Sequence, residues 1–341
     1  MLPLHSNFLA LSEIRIAING FGRIGRTLTR VLQQHPNIRI CAVNDLADAA
    51  TLTHLLKYDS IHGRFPGQIE EGDKCFFIND KVVQVYNQKD PATLPWYDFG
   101  IDVVIESSGF FRKTSDAEKH IQAGAKKVII SAPAMDTDTK TIVLGVNDHL
   151  LDGSEKIISN ASCTTNSAAP LVKILQENWA IEQAYITTVH SYTSDQRLHD
   201  APHKDWRRGR AAAQSIVPTT TGAAKAITRI FPELEGRIGG AGIRVPVPNG
   251  SLTDLSCVLN KEVSIEEINA KFKEAAEGQL KGILEYTEDP IVSIDIIDNP
   301  HSCIFDSQLT SAIGKMIKVV GWYDNEWGYS NRLVELIKRV A

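Results

Sequence analysis

Residues 14–25, IRIAINGFGRIG, decide the fold of the N-terminal half of the chain. The first six residues alternate and are rich in β-branched side chains, which predicts a strand. Three glycines, Gly20, Gly22 and Gly25, then lead into a helix-like stretch that reaches about Gln34. Further short apolar runs lie at 38–43, 103–105, 128–130 and 142–144. Strands that alternate with helices predict a parallel sheet, so we expect an α/β domain of the doubly wound Rossmann type.

The three glycines have the spacing Gly-x-Gly-x-x-Gly between a strand and a helix, which predicts a dinucleotide site. Gly20 permits the tight turn, Gly22 the close approach of backbone to a pyrophosphate, and Gly25 close packing of helix on strand. Asp45 follows Gly25 by 20 residues, at the end of the second predicted strand. A carboxylate there accepts from the ribose hydroxyls and repels a 2′-phosphate, which favours NAD over NADP. The competing interpretation is a glycine turn that binds no nucleotide, with Asp45 as a helix cap.

The second half of the chain has a different texture. Longer alternating runs at 184–189, 251–259, 291–297 and 316–322 predict strands, and Ser264 with Glu267 forms the sequence signature of a helix capping box. We therefore expect a second, α+β domain with a mixed or antiparallel sheet. The irregular stretch from Ser191 to about Ser215 is long for a connection inside a compact domain, and such loops are usually functional.

Composition excludes several classes of protein. The chain has 341 residues, a formal net charge of −5, 43% apolar and 23% charged residues, as in a globular protein of about two domains. We expect neither nucleic acid nor a membrane as a partner. The net charge is negative, the one dense basic run (207–210) is short, and no apolar run reaches about 18 residues. The first dozen residues lack the pattern of a secretory signal. The five cysteines are scattered without paired spacing, which favours the cytoplasm and predicts no bound metal.

Cys163 and His190 are the candidate nucleophile and base. Cys163 lies between a predicted strand at 157–159 and a helical pattern at 168–178, and thus near a helix N-terminus. The helix dipole and a nearby imidazolium would lower the thiol pKa into a range of about 3.5–7.5. His190 ends the strand at 185–189, where catalytic side chains are often presented. By contrast, we expect His199 and His203 to be surface residues. From residue types alone, Cys163 is equally well interpreted as an inert buried cysteine.

Several motifs resemble the phosphorylating glyceraldehyde-3-phosphate dehydrogenase family of bacteria. The resemblance runs from about Ile14 to Val340. It is carried by INGFGRIGR (18–26), HLLKYDSIHGRF (54–65), SNASCTTN (159–166), TTVHSYT (187–193), RRGRAAAQSIVPTTTGAAKA (207–226), RVPVPNGSLTDLS (244–256) and WYDNEWGYSNR (322–332). SNASCTTN followed by HSYT is highly specific to this family.

The resemblance implies a reaction and a set of site residues. Cys163 would form a hemithioacetal with glyceraldehyde 3-phosphate, His190 would take the proton, and hydride would pass to NAD. The thioester left behind would be cleaved by inorganic phosphate to 1,3-bisphosphoglycerate. One phosphate site would use Thr193 and Arg244, and the other Ser162, Thr164, Thr221 and Gly222. The implied cofactor-binding residues are Gly20, Gly22, Arg23, Ile24, Gly25, Asp45, Ser131 and Asn325.

The resemblance also implies a homotetramer in which the loop 191–215 packs at a subunit interface. It implies an NAD-binding domain at 13–162, a catalytic domain at 163–326 and a C-terminal helix at 327–341 that packs back on the first domain. Two departures concern Ser167, where many relatives have a second cysteine, and Ala201-Pro202, where NAD-specific bacterial relatives have Leu-Pro. Ser167 leaves the thiol chemistry intact, whereas Ala201-Pro202 is compatible with some use of NADP.

Two alternatives stay open. Residues 44–65 and 299–302 also resemble erythrose-4-phosphate dehydrogenase, although those enzymes alter the HSYT and TTTGAAKA stretches that this chain keeps. The second alternative is a regulatory or adhesive binding protein of this family that has lost catalysis. The intact set of Cys163, His190 and Arg244 argues against that loss.

Overall fold

The computed structural model describes residues 13–341, so the interpretation of the first dozen residues lies outside the described part of the chain. Two large sheets organise the rest. The first contains nine strands and carries the glycine turn. The second contains eight strands and carries His190 and Arg244. Between residues 13 and 341, no helix combines the length and apolar character needed to cross a membrane.

The N-terminal part alternates strands and helices as predicted. Its helices are α1 (Arg23–Val31), α2 (Ala49–Lys57) and α3 (Thr114–Gln122). Its strands are β1 (Ile14–Asn19), β2 (Ile38–Asn44), β3 (Tyr58–Asp59), β4 (Gly63–Arg64), β5 (Ile69–Gly72), β6 (Cys75–Ile78), β7 (Lys81–Tyr86), β8 (Val103–Glu106), β9 (Lys127–Ile130), β10 (Lys140–Thr141) and β11 (Ile157–Ser159).

The first sheet has the strand order β10-β11-β9-β8-β1-β2-β7-β6-β5. Every pairing from β10 to β7 is parallel, and β5 and β6 add an antiparallel edge. The prediction of a doubly wound α/β domain is confirmed. Because the parallel strands share one direction, the carboxyl ends of β1, β2 and β8 meet at one edge, where ligands bind in such sheets.

The predicted strand at 142–144 is wrong. The short strand β10 precedes it, and 142–144 continue as a buried segment outside the named strands. A side chain takes over the backbone bonds of this segment, because Asn147 Oδ1 accepts from the Val143 N–H at 2.8 Å and Asn147 Nδ2 donates to the Thr141 carbonyl at 2.9 Å. Burial thus accounts for the apolar run without a full strand.

The second part is α+β, as predicted. Its helices are α4 (Cys163–Trp179), α5 (Ala223–Ile230), α6 (Ile265–Glu277) and α7 (Trp327–Val340). Its strands are β12 (Ile181–Ser191), β13 (Val217–Thr219), β14 (Ile238–Val245), β15 (Ser251–Leu259), β16 (Leu284–Thr287), β17 (Cys303–Asp306), β18 (Ser311–Ile313) and β19 (Met316–Tyr323).

The second sheet is mixed, with the order β13-β14-β12-β15-β19-β17-β16 and β18 beside β19. The predicted capping box at Ser264 and Glu267 starts α6 and is confirmed. The predicted strand at 291–297 is wrong, because the segment forms turns in which the Asp295 carboxylate accepts from the Val292 N–H at 2.8 Å. Ile294 is exposed there, so the alternating pattern does not mark a buried face.

Helix α4 packs on the second sheet, and helix α7 joins the two parts. Helix α4 packs across β12, β15, β17 and β19, and its buried apolar residues include Leu171, Val172 and Leu175. Helix α7 packs against α1 and buries Leu333 and Ile337. The segment before α7 therefore lies close to the N-terminus of α1, which follows the glycine turn.

Candidate functional site

The glycine turn has the geometry that the sequence predicts. Gly20 has φ +90°, and a Cβ on it would lie 2.4 Å from the Ser108 nitrogen. A Cβ on Gly25 would lie 2.6 Å from the Gly20 carbonyl oxygen, so the helix packs on backbone there. Gly22 faces open space and precedes α1, and among the described residues no side chain caps the first turn of α1. The first N–H groups of α1 are thus left for an anion.

A cavity of about 570 Å³ opens beside this turn. Gly20, Gly22 and Asp45 line it, together with residues that sequence reasoning did not single out: Asn19, Asn44, Leu46, Gln88, Lys89, Ser107, Ser108, Phe110 and Phe111. Leu46 and Phe110 are 67% and 80% exposed, so they offer apolar walls to a flat ring. The Ser107-Ser108 pair follows β8, and its position at the carboxyl end of a parallel strand is the signal that would have found it.

Asp45 sits at the end of β2 with its carboxylate held in place. Oδ2 accepts from the Phe21 N–H at 2.8 Å and Oδ1 from the Ala47 N–H at 3.1 Å. Each carboxylate oxygen has room for a second hydrogen bond, so both can still accept from a ribose. Uncapped helix amides, apolar walls and a fixed carboxylate around one cavity fit a dinucleotide such as NAD.

Arg23 and Ile24 open α1, so their backbone N–H groups belong to the uncapped first turn. The Arg23 guanidinium is engaged elsewhere, because Nε donates to Glu326 at 2.8 Å and Nη1 to Asp59 at 2.5 Å. Ser131 follows β9 and donates its N–H to the Glu106 carbonyl at 2.9 Å, and it is not among the residues that line the cavity.

Cys163 is the first residue of α4, as the sequence predicts. Ser162 is the N-cap, and its Oγ accepts from the Thr165 N–H at 3.1 Å. Ala161 just before it has a positive φ of 54°, an uncommon conformation for a residue with a Cβ. The chain thus turns sharply from β11 into α4 and presents the thiol at the helix N-terminus.

His190 comes from β12 and faces the thiol. Its Nε2 lies 3.4 Å from Cys163 Sγ, and its Nδ1 lies 2.8 Å from the Ser191 carbonyl oxygen. A neutral imidazole whose Nε2 lacks a proton can accept the thiol proton. Arg244 lies opposite His190 on the neighbouring strand β14, and its Nη1 is 2.6 Å from Nδ1 and 2.9 Å from the same carbonyl.

The prediction of a low thiol pKa is wrong for this arrangement. Burial raises the pKa of the Cys163 thiol, although the Arg244 charge and the Thr164 N–H act to lower it. Burial and the Arg244 charge lower the pKa of His190 to about 3. A neutral imidazole supplies no positive charge to stabilise a thiolate. Thiol and imidazole are therefore both neutral, with Nε2 of the imidazole beside the thiol.

The predicted anion-binding residues surround this pair only in part. Arg244 contacts His190 directly, while Ser162 and Thr164 flank Cys163 in sequence. The Thr164 hydroxyl pairs with the Tyr323 hydroxyl at 3.0 Å, a partner that sequence reasoning missed. Thr193 begins the irregular loop, and Thr221 and Gly222 precede α5. Within residues 13–341, no hydrogen bond joins Thr193 or Thr221 to Cys163, His190 or Arg244.

Asn325 is buried with its side-chain amide oriented. Its Oδ1 accepts from the Ser191 hydroxyl at 2.9 Å and from the Ser251 hydroxyl at 2.8 Å. These two serines were not singled out from the sequence. With the oxygen committed twice, the NH₂ group is the end left to donate to a ligand carbonyl.

The loop 191–215 is irregular, as predicted, and departs from expectation at one histidine. His199 is exposed, whereas the His203 side chain is 7% exposed and lies 3.6 Å from Asp195. The expectation of a surface residue is therefore wrong for His203. The loop folds back on itself and encloses this imidazole.

Comparison with known proteins gives one family over most of the chain. The glyceraldehyde 3-phosphate dehydrogenase NAD binding domain matches residues 14–114, and the C-terminal domain of the same enzyme matches residues 162–325. The glyceraldehyde-3-phosphate dehydrogenase of Mycolicibacterium smegmatis is 56% identical over 336 residues, which cover 96% of this chain and 98% of that protein. Glyceraldehyde-3-phosphate dehydrogenase 2 of Streptomyces avermitilis is 55% identical over 326 residues, which cover 95% and 97%. The chain belongs to the glyceraldehyde-3-phosphate dehydrogenase family.

Proposed function

We propose that this NAD-dependent dehydrogenase oxidises glyceraldehyde 3-phosphate with inorganic phosphate, through a thioester on Cys163. The observation that carries the proposal is the separation of 3.4 Å between Cys163 Sγ and His190 Nε2 at the N-terminus of α4. A thiol beside a neutral imidazole can act as a nucleophile and base pair. Membership of the family supplies the reaction that uses it.

The covalent steps use the two residues in turn. The Cys163 sulfur attacks the aldehyde carbon while Nε2 of His190 takes the thiol proton, which gives a hemithioacetal. The N–H groups at the start of α4 would stabilise the negative charge that develops on the oxygen. The oxyanion takes that proton back from His190 and becomes the hemithioacetal hydroxyl. Nε2 then removes the proton again as hydride leaves the carbon, and a thioester results. A phosphate oxygen attacks the thioester carbon, the thiolate leaves, and 1,3-bisphosphoglycerate is the product.

Arg244 supplies the positive charge between the two anions, which are the phosphate of the substrate and the attacking inorganic phosphate. Its guanidinium is mostly buried and, apart from the Ser191 carbonyl, has the imidazole as its neighbour. A bidentate phosphate partner would satisfy this cation and draw it from Nδ1. Because the Arg244 charge lowers the pKa of His190, pairing it with an anion favours the protonated imidazole that the reaction forms. We assign Thr193 with Arg244 to one phosphate, and Ser162, Thr164, Thr221 and Gly222 to the other.

The cofactor residues act by holding and orienting. NAD supplies the hydride acceptor when bound. The first-turn amides of α1 from Gly22 onward bind the pyrophosphate, and Asp45 accepts from the adenosine ribose. Asn325 donates its NH₂ to the carboxamide and thereby fixes which face of the ring meets the substrate. The Ser191 and Ser251 hydroxyls support this assignment, because they fix the orientation of the Asn325 amide.

Assembly, location and domain limits are parts of the same proposal. Leu198, Trp206 and Ile216 in or beside the loop 191–215 are 70%, 89% and 69% exposed, which supports burial against other subunits of a homotetramer. Free cysteines at Cys41, Cys75, Cys163, Cys257 and Cys303 support a reducing compartment such as the cytoplasm. The packing of α7 on α1 supports the limits 13–162, 163–326 and 327–341.

A comparison of two aldehydes tests the proposal against its nearest alternative. NADH formation is measured with glyceraldehyde 3-phosphate and with erythrose 4-phosphate, each with and without inorganic phosphate. We expect a higher kcat/KM for glyceraldehyde 3-phosphate and sustained turnover that requires phosphate. Preference for erythrose 4-phosphate, with release of the acid whether or not phosphate is present, would assign the chain to the other activity. No turnover with either aldehyde would favour a silent binding protein.

A further inference from the structure

A cluster of charged side chains joins the start of α1 to the segment that carries Asn325. We name it the Arg23 cluster, and it consists of Arg23, Asp59, His62, Asp298 and Glu326. Arg23 Nε donates to Glu326 Oε1 at 2.8 Å, and Nη2 donates to Oε2 of the same carboxylate. Nη1 and Nη2 donate to the two oxygens of Asp59 at 2.5 and 3.2 Å. The guanidinium is thus hydrogen-bonded to two carboxylates at the same time.

Apart from Asp298, whose side chain is half exposed, the cluster is largely shielded from solvent. The side chains of Asp59 and Glu326 are 2% and 10% exposed, and that of Arg23 is 27% exposed. Burial acts to lower the pKa of Arg23, but its bonds to Glu326 and Asp59 raise that pKa overall. Removal of one partner from such a shielded pair is costly, because it leaves the other charge buried without compensation.

His62 completes the cluster from the other side. Its Nε2 lies 3.0 Å from Glu326 Oε2, and its Nδ1 lies 2.5 Å from Asp298 Oδ1. His62, Asp298 and Asp324 are close enough together to ligate a cation. However, both imidazole nitrogens already face carboxylates at hydrogen-bond distance, so His62 acts as a donor to both. Glu326 is therefore held from two directions, by Arg23 and by His62.

Glu326 is the residue directly after Asn325. On the other side of Asn325, the Asp324 carboxylate accepts from the N–H groups of Glu326 and Trp327 at 2.9 and 2.8 Å. The backbone around Asn325 is thus fixed by this turn and by the grip on the Glu326 side chain. Arg23 itself directly follows Gly22, where the uncapped amides begin. One guanidinium therefore links the two ends of the cofactor site.

We propose that Arg23 is a positioning residue whose side chain sets the spacing between the pyrophosphate-binding turn and Asn325, through Glu326, rather than binding the cofactor. The inference rests on the proposed role of Asn325. A dinucleotide must contact the pyrophosphate-binding turn and Asn325 at the same time. A wrong distance between the two therefore removes the binding energy that the contact with Asn325 contributes. ADP-ribose reaches the pyrophosphate turn and lacks the nicotinamide, so its binding does not depend on that spacing.

The test compares the affinities of ADP-ribose and NAD, measured by titration calorimetry, in the tetrameric or other native form of the enzyme. The variants are Arg23→Gln and Glu326→Gln, and the second guards against misfolding caused by an unpaired buried Glu326 carboxylate. Arg339→Gln is the matched control, because Arg339 lies on α7, has a side chain that is 55% exposed, and pairs with Asp148 outside the cluster. Asn325→Ala is the reference for the proposed role of Asn325. Thermal unfolding is recorded for each variant.

We expect both cluster variants to bind NAD about tenfold more weakly and ADP-ribose within about threefold of the parent. Equal weakening of both ligands would overturn the inference, since it would mean direct binding of the pyrophosphate or a general loss of structure. Unchanged NAD affinity would also overturn it if Asn325→Ala lowers NAD affinity selectively. If Asn325→Ala has no selective effect, the role of Asn325 in the proposed function fails, and the inference fails with it.

Discussion

Replacement of Asp45 by Asn should narrow the preference of the enzyme for NAD over NADP. The structure fixes the Asp45 carboxylate at the end of β2 through the N–H groups of Phe21 and Ala47, at 2.8 and 3.1 Å. An asparagine keeps the shape of the side chain and one acceptor oxygen. It removes the negative charge that would face a 2′-phosphate. The variant therefore tests how much this charge contributes to the preference for NAD.

The magnitude follows from two contributions. Hydrogen bonds from ribose hydroxyls to a charged acceptor contribute about 1.5–3 kcal/mol. NADP loses part of this energy, because its 2′-oxygen carries a phosphate and cannot donate. Repulsion between the carboxylate and a phosphate about 4 Å away adds about 1 kcal/mol where water screens the pair. The parent enzyme should therefore prefer NAD by about 2–4 kcal/mol, or about 30- to 1000-fold in kcat/KM. The variant should lose at least about tenfold of that ratio.

The assay is initial-rate NADH or NADPH formation at saturating glyceraldehyde 3-phosphate and phosphate. Asp48→Asn is the control, because Asp48 lies three residues away, is exposed, and caps α2 by accepting from the Thr51 N–H at 2.8 Å. It should leave the cofactor ratio unchanged. Equal kcat/KM for the two cofactors in the parent would refute the reasoning, because Asp45 could then not face the ribose. An unchanged ratio in Asp45→Asn would do the same.

Three further predictions concern the thiol, the packing behind it and assembly. In a His190→Asn background, adding Arg244→Leu should move the pH profile of Cys163 alkylation to higher pH, because the Arg244 charge lowers the thiol pKa; a shift to lower pH would contradict this. Tyr323→Phe should lower the free energy of unfolding by about 1–2 kcal/mol, because the Thr164 and Thr188 hydroxyls lose their shared partner; denaturant curves that superimpose would count against it. Light scattering should give the mass of a homotetramer, and a monomer mass would remove that part of the proposal.

The fold could be predicted where the signal is local and periodic. The strand at 14–19, the glycine turn and the capping box at Ser264 depend on neighbouring residues, and all three are confirmed. The predictions of strands at 142–144 and 291–297 failed because a nearby side chain accepts a backbone N–H in each segment. Asn147 accepts from Val143, and Asp295 accepts from Val292. Periodicity reports the pattern of apolar residues and is blind to such competition.

A site residue could be predicted only where its neighbours in the sequence indicate its role. Cys163 was found because a strand, a run of small residues and a helix surround it in sequence. Ser191, Ser251 and Tyr323 were missed, because each acts through a partner far away along the chain and looks like an ordinary strand residue. The thiol pKa was predicted with the wrong sign, because burial and the nearness of Arg244 to His190 are properties of the packed site.

The central claim is that oxidation proceeds through a thioester on Cys163 that phosphate resolves. The most direct test mixes enzyme and NAD with glyceraldehyde 3-phosphate in the absence of phosphate, follows NADH in the first turnover, and quenches the reaction in acid for mass spectrometry of peptides. We predict a burst of about one NADH per chain, an acyl group on the Cys163 peptide, and its loss when phosphate is added. The Cys163→Ser variant should show neither burst nor acyl group. Steady turnover without phosphate at the full rate, or acylation at a cysteine other than Cys163, would contradict the mechanism.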